Sequence, residues 1–385
     1  MMSLSENKIN VAWLAHRYVE GYSFFASNSK VMVKLNAQNF SMTCIYLEKG
    51  SDAPNILEAK GCRVVYLGQE RATKIFNPFI LWKLVKFLKD NPIDILHCHR
   101  HKATLYGALA AWITGIPVVF SHVHGLKRTR SALRRLTNRI LYSIVNKVIA
   151  VSDAVKEDVM VSNPRLPSEK IIVIKNSFDV DKFSNINITK QESREILGLP
   201  QEAFIFGTVA RLVPTKGQSY LIDAFAKVCR SIAKVHLVFV GSGRLESELK
   251  QQAAHLSCLD AITFAGQRED VPQVLCAFDS FVLPSIDEGL GVALIEAMSV
   301  SLPCIATAVG GIPEVIVNEK VGYLVPCKNP DALAKAMIEC CSVSEDERRR
   351  IGSAACEMVN ARFSEDIFTA ELKKVYEDEL RKKKI

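Results

Sequence analysis

Two glycine-bearing segments in the second half of the chain carry residue types that could do chemistry. The first is Pro284-Ser-Ile-Asp-Glu-Gly-Leu-Gly-Val-Ala-Leu-Ile-Glu-Ala-Met298. It follows an apolar strand and opens a helix. Gly289 and Gly291 allow a tight turn and close approach to a ligand. A helix start offers free N–H groups suited to a phosphate. Glu288 and Glu296 lie eight positions apart, so both face one side if Glu288 stands at the helix entry. Carboxylates beside a phosphate are unfavourable unless they bind hydroxyls, which assigns them to sugar. A capped helix with two solvated glutamates is the plain alternative. The second segment is Gly207-Thr-Val-Ala-Arg-Leu-Val-Pro-Thr-Lys-Gly217. Arg211 and Lys216 sit on a loop before a helix, where a guanidinium and an ammonium can hold a diphosphate. Two solvated surface cations would look the same.

The first half contributes histidines. Five of the eight fall between positions 97 and 124: His97, His99, His101, His122 and His124. If the strand continues past His97, alternation puts His97 and His99 on one face. The spacing invites a zinc reading, but strand ends at a ligand site cluster in the same way. His99 and His122 are read as acceptor contacts, and no metal is assigned. Asp179-Val-Asp181 spells a metal-binding DxD, but in a linker-like stretch away from a phosphate loop. Lys127 to Val145 combines a basic face, with Arg134 and Arg135, and an apolar face at helical spacing. It is read either as a helix that meets an anionic membrane or phosphorylated acceptor, or as an ordinary helix covering the sheet.

The elements that position these residues alternate. Short apolar runs at 9–15, 41–47, 63–67, 93–97, 118–121 and 147–151 are separated by helix-like segments such as 79–90 and 102–115. A polar stretch without clear period covers 176–191. A second series of strands follows at 204–209, 235–240, 262–265, 280–283, 303–306 and 322–325. Strands alternating with helices indicate parallel sheets covered on both faces. The expectation is α/β: two doubly wound Rossmann-like domains, 1–180 and 192–363, with a last helix at 364–385 that packs back toward the first. Ligands in such domains lie beyond the carboxyl ends of the strands, so two of them facing each other would share a cleft.

Length and composition agree. The chain has 385 residues and 49% hydrophobic residues, enough for two cores. No apolar run approaches the ~20 residues needed to cross a bilayer. The start is polar and the run after it too short for a signal peptide. The eleven cysteines are scattered, without a CxxC pair, as in reduced chains. The chain is therefore read as cytoplasmic. Residues 1–190 hold 27 Lys and Arg against 14 Asp and Glu, although the whole chain is only +8. That bias calls for an anionic partner of the first domain. Nucleic acid is disfavoured, since there is no recognition motif and no aromatic stacking platform.

The two motifs, in this order and spacing, resemble the retaining glycosyltransferases of family 4, which have the GT-B fold. Val240-Gly-Ser-Gly243, Gly266-Gln-Arg-Glu-Asp-Val271, Gly310-Gly-Ile-Pro-Glu314 and Gly322-Tyr-Leu-Val325 extend the resemblance through the second half. Val148–Val155 and Val173–Asp179 extend it through the first, with Lys175 and Ser177 where the family has proline and glycine. The resemblance implies that Arg211 and Lys216 neutralise a departing diphosphate. It implies that Glu288 meets the donor sugar and Glu296 the ribose. Gly289, Leu290, Gly291 and Val292 would add backbone donors, and Gln267, Arg268 and Val271 would lie near the base. Ser121-His-Val-His-Gly125 matches the family's histidine near the reacting sugar, here His124. Gly21 is the nearest match to the glycine pair after the first strand.

The function expected is transfer of a hexose or N-acetylhexosamine from a nucleotide diphosphate sugar, by default a UDP-sugar, to a glycan or glycolipid hydroxyl. The resemblance points to bacterial lipopolysaccharide or surface-polysaccharide synthesis. No cofactor is expected beyond the nucleotide sugar as substrate. The basic first domain suits a peripheral position on the cytoplasmic membrane. The alternatives are a nucleotide-sugar epimerase of the same fold and a non-catalytic carbohydrate- or lipid-binding protein.

Overall fold

The computed structural model describes residues 8–17, 29–50, 55–68, 76–127 and 130–384. The chain divides into two compact units, Met1–Ser177 with Glu365–Ile385, and Phe178–Ser364.

The first unit is built on a seven-stranded sheet: β1 (Ile9–Arg17), β2 (Phe40–Glu48), β3 (Arg63–Tyr66), β4 (Ile95–His99), β5 (Val118–Val123), β6 (Lys147–Ala150) and β7 (Ile171–Val173). Its order is β3-β2-β1-β4-β5-β6-β7, and every neighbouring pair is parallel. Both faces are covered, so the strands read as nearly continuous apolar runs. Residues 118–123 are all buried. β7, a three-residue edge strand within the apolar run 171–174, is absent from the expected series. β4 runs on to His99, past the expected end at His97.

The second unit has a six-stranded parallel sheet: β8 (Phe204–Val209), β9 (Val235–Val240), β10 (Ile262–Phe264), β11 (Ser280–Leu283), β12 (Cys304–Thr307) and β13 (Tyr323–Val325). Its order is β10-β9-β8-β11-β12-β13. The segment expected to be irregular after residue 176 contains two short helices, Val180–Ser184 and Lys190–Ile196. Local capping explains them. Asp179 accepts from Lys182 N at 3.0 Å, and Thr189 and Glu192 form a reciprocal capping box. The DxD spelling thus begins with a helix cap.

In both sheets the strand order reverses once, between β1 and β4 and between β8 and β11. Ligands of open parallel sheets sit at that switch point, outside the carboxyl ends of the strands. The last helix, Glu365–Lys384, belongs to the first unit. Phe368, Leu372, Tyr376 and Leu380, spaced by one turn, are buried in the same core as Trp13, Phe40 and Phe120.

Candidate active site

In the second unit the two motifs leave the adjacent strands β8 and β11 and bond to each other. Thr215 O accepts from Ile286 N at 2.8 Å and from Asp287 N at 3.3 Å. Gly217 makes this approach possible. Its φ is +68°, and a Cβ there would lie 2.0 Å from Pro284 O, so no other residue fits. The Arg211 loop is backed in turn by the Val240–Gly243 segment. Leu212 N donates to Ser242 O at 3.0 Å, and a Cβ on Gly241 would meet Ala210 O at 2.1 Å.

The joined loops place Lys216 against Glu288, 72 residues away in sequence. Lys216 Nζ donates to Oε1 at 2.9 Å and to Oε2 at 2.6 Å, with both side chains largely buried. The helix after Glu288 begins at Val292 and is capped by Gly291, at φ 90° with no side-chain cap. Glu288 therefore precedes the helix, and Lys216 rather than helical phase orients it. Gly311 N bonds Glu288 O at 3.4 Å, which ties the Gly310–Glu314 segment to the same point. Leu290 is buried, whereas Arg211 is exposed.

Glu296 lies one turn into that helix. Burial pushes its carboxyl up to about 7, with the Lys182 ammonium pulling it partly back. Arg268 forms a two-point ion pair with Asp270, at 2.9 and 2.6 Å, immediately before the short helix that starts at Val271. That pairing commits the guanidinium, so Gln267 and Val271 are the freer groups for a base.

In the first unit the carboxyl ends of β4 and β5 gather four histidines. His97 stacks on His99 with centroids 4.3 Å apart, and His122 on His124 at 4.2 Å. Across the two strands, His99 Nδ1 and His124 Nε2 are 3.3 Å apart, within reach of one hydrogen bond. Burial holds His97, His99 and His124 well below the usual imidazole value, reinforced by neighbouring charges. Burial also lowers His122, to about 3. The cluster is therefore neutral, and each ring offers one donor and one acceptor. Tyr376, from the C-terminal helix, bonds His97 Nδ1 at 2.5 Å and Trp13 Nε1 at 2.8 Å. Indole only donates, so the tyrosine hydroxyl accepts from Trp13 and donates to His97.

Ring nitrogens of His97, His99 and His122 lie within 4.8 Å of one another. Among the described residues they are the group able to hold a metal. Tyr376 engages His97 Nδ1, so the nitrogen of that ring left for an ion is Nε2.

A second polar cluster lies at the ends of β1 and β2. The buried Glu48 carboxylate accepts from Lys102 at 2.6 Å and meets His16 Nε2 at 2.9 Å. Burial and the Lys102 charge lower the His16 pKa, while Glu48 pulls it back. Sequence reasoning missed Glu48, His16, Lys102 and Tyr376. The signal for the first three was their place after apolar runs: His16 and Glu48 close β1 and β2, and Lys102 is in the first turn of the helix after β4. Tyr376 gave none, being an aromatic at core spacing. Arg100, between His99 and Lys102, has a left-handed φ of 70°, the kind of backbone strain that gathers at functional sites. Arg134 and Arg135 are exposed on the helix Ala132–Ile144, and the Arg134 charge, after burial, lowers the pKa of His101. Gly21 falls outside the described residues.

Two family models cover most of the chain: "Glycosyltransferase Family 4" matches residues 34–182 and "Glycosyl transferases group 1" residues 189–358. The UDP-Gal:alpha-D-GlcNAc-diphosphoundecaprenol alpha-1,3-galactosyltransferase of Escherichia coli is 31% identical over 288 residues, 72% of this chain and 73% of the relative.

This chain belongs to the family 4 glycosyltransferases.

Solved structures agree on the GT-B fold of the transferase. A glycosyltransferase from Rickettsia africae superposes with a TM-score of 0.83, covering 97% of this chain and 99% of that one at 22% identity. Anabaena Alr3699/HepE, in complex with UDP and glucose, gives 0.81, covering 96% and 100%, also at 22% identity. No described helix of the transferase is long and apolar enough to cross a membrane.

Proposed function

We propose that this glycosyltransferase moves a hexose or N-acetylhexosamine from a UDP-sugar to a hydroxyl of a diphosphate-linked glycolipid or glycan, with retention of configuration and without a metal ion. The observation that carries the reading is the Lys216–Glu288 pair, held at the switch point of the second unit beside a helix start without a side-chain cap.

In this reading Lys216 and Arg211 neutralise the charge that develops on the leaving diphosphate. The N–H groups of Gly289, Leu290, Gly291 and Val292 add donors. Glu288 accepts from donor-sugar hydroxyls and Glu296 from the ribose, with Gln267, Arg268 and Val271 near the base. The acceptor hydroxyl attacks the anomeric carbon from the face the UDP leaves. His124, oriented by His99, contacts the reacting sugar. His99 and His122, with Arg134 and Arg135, serve the acceptor. The E. coli relative supports a UDP-hexose donor and a lipid-diphosphate acceptor, since its name states both. The excess of cations in residues 1–190 supports a peripheral position on an anionic cytoplasmic membrane.

The test is UDP release from a panel of UDP-sugars in EDTA, with Lys216→Ala alongside. Turnover of one donor, indifferent to chelation and reduced on the order of 10²–10³-fold in the variant, is expected for a lost transition-state charge contact. Activity abolished by EDTA would reject the metal-free reading and return attention to His97, His99 and His122.

A further inference from the structure

The helix Ala132–Ile144 is amphipathic in an unusual sense. Its buried side is Asn138, Leu141 and Tyr142. Leu133, Leu136 and Ile140 are 72%, 59% and 61% exposed. At about 100° per residue, these three form a stripe on the opposite side of the helix from the buried one. Arg135 and Arg139 lie between the two sides. An apolar stripe facing outward and flanked by arginines is the pattern of a helix that rests on a membrane surface.

Beside the arginines a groove of about 730 Å³ opens between this helix and residues 161–170. That is within the roughly 300–1,000 Å³ of small-molecule sites. Its lining is apolar at Leu136, Val161 and Leu166, and basic at Arg135, Arg139 and Arg165. Asn138 Nδ2 bonds Asn163 Oδ1 at 3.3 Å across it, and Lys170 donates to Tyr142 O, which pins the far wall. Ser162 also lines the groove, and its hydroxyl is buried without a hydrogen-bond partner. None of the three arginines is in an ion pair among the described residues. From Ile95 to Ser152 the chain has no Asp or Glu at all, so nothing nearby in sequence neutralises them. Most of the groove lies along the later turns of the helix, which lead away from the histidines at the end of β5 toward the start of β6.

We propose that this groove binds one anionic glycerophospholipid of the membrane surface. Arg139 and Arg165 hold its phosphate, and the first part of its chain lies on Leu136, Val161 and Leu166. With the apolar stripe in the acyl region, the arginines stand at headgroup depth, where a phosphate is found. The inference rests on the peripheral-membrane reading above and names its partner. The position away from the strand ends assigns the groove to a bilayer lipid rather than to the reacting sugar.

The test uses the full chain with phosphatidylcholine vesicles, with and without phosphatidylglycerol carrying a photoreactive group near the headgroup. Crosslinks to residues 132–143 and 161–167 are expected, only with the anionic lipid. Arg139→Gln with Arg165→Gln should weaken binding to anionic vesicles by tenfold or more, at about fivefold per arginine. Val161→Trp, which fills the groove, should remove the crosslinks. Both variants should leave UDP release from the donor unchanged in vesicle-free solution. Crosslinks elsewhere, or variants that bind and crosslink like the parent, overturn the proposal. So does displacement of the crosslink by a polyprenyl diphosphate but not by unlabelled phosphatidylglycerol, which would assign the groove to the acceptor chain. A parent that turns over no donor would defeat the functional reading separately.

Discussion

Glu296 shows how one residue links burial to substrate. Its carboxyl titrates near 7 because burial penalises the charged form. Ribose hydroxyls donate better to an ionised carboxylate. Affinity for a UDP-sugar should therefore tighten as pH rises through 7, approaching tenfold between about pH 6 and pH 8 if only the ionised form binds. Stability should move the other way. The folded pKa is raised, so the folded state holds the extra proton between about 4.5 and 7, and stability is lost as pH climbs through that window. Glu296→Gln should flatten both profiles. Calorimetric titration with the donor and urea unfolding across that range would show it, and an unchanged profile in the variant would remove Glu296 from the ribose. Residue types alone marked Lys216, Glu288 and Glu296 as candidates. They did not show that Glu288 is bound by Lys216, because that depends on a contact across 72 residues.

Two elements hold the candidate sites in place. The loop ending at Gly217 is pressed onto the end of β11, with no room for a Cβ. Gly217→Ala must push Pro284 away and adopt a strained φ. It should cost on the order of 1–3 kcal/mol and weaken donor binding together with stability, measured by thermal unfolding with and without UDP. Full stability and full donor affinity in the variant would disprove the coupling of the two loops. The C-terminal helix does the equivalent for the first unit through Tyr376. Tyr376→Phe keeps the ring but strands the buried Trp13 N–H and His97 Nδ1. The urea midpoint should fall by the equivalent of about 1–3 kcal/mol; an unchanged midpoint would mean that water or another group satisfies both. Strand positions were legible because buried parallel strands read as apolar runs. β7 carries the same signal in its apolar run 171–174, but it adjoins the polar stretch after residue 176 and is absent from the expected series. The helices in 178–196 are set by Asp179 and Thr189 caps rather than by apolar periodicity.

At the scale of the whole molecule, the two series of alternating elements become two parallel sheets of the same order, each with one switch point. Each switch point carries its own polar chemistry. One has neutral histidines and the Glu48–Lys102 pair, and the other has Lys216, Glu288 and the helix start at Val292. The doubly wound pattern was readable because it repeats along the chain. The first-unit cluster was only partly readable, since His16, Glu48, Lys102 and Tyr376 come from four distant segments. The most direct test of the proposed function is the anomeric configuration of the product. The chain would be incubated with a UDP-α-hexose and an N-acetylglucosamine linked through diphosphate to a polyprenyl chain, and the new linkage read by proton NMR. An α-linked disaccharide with release of UDP is expected; a β-linkage, or free hexose with no disaccharide, would contradict retaining transfer to that acceptor.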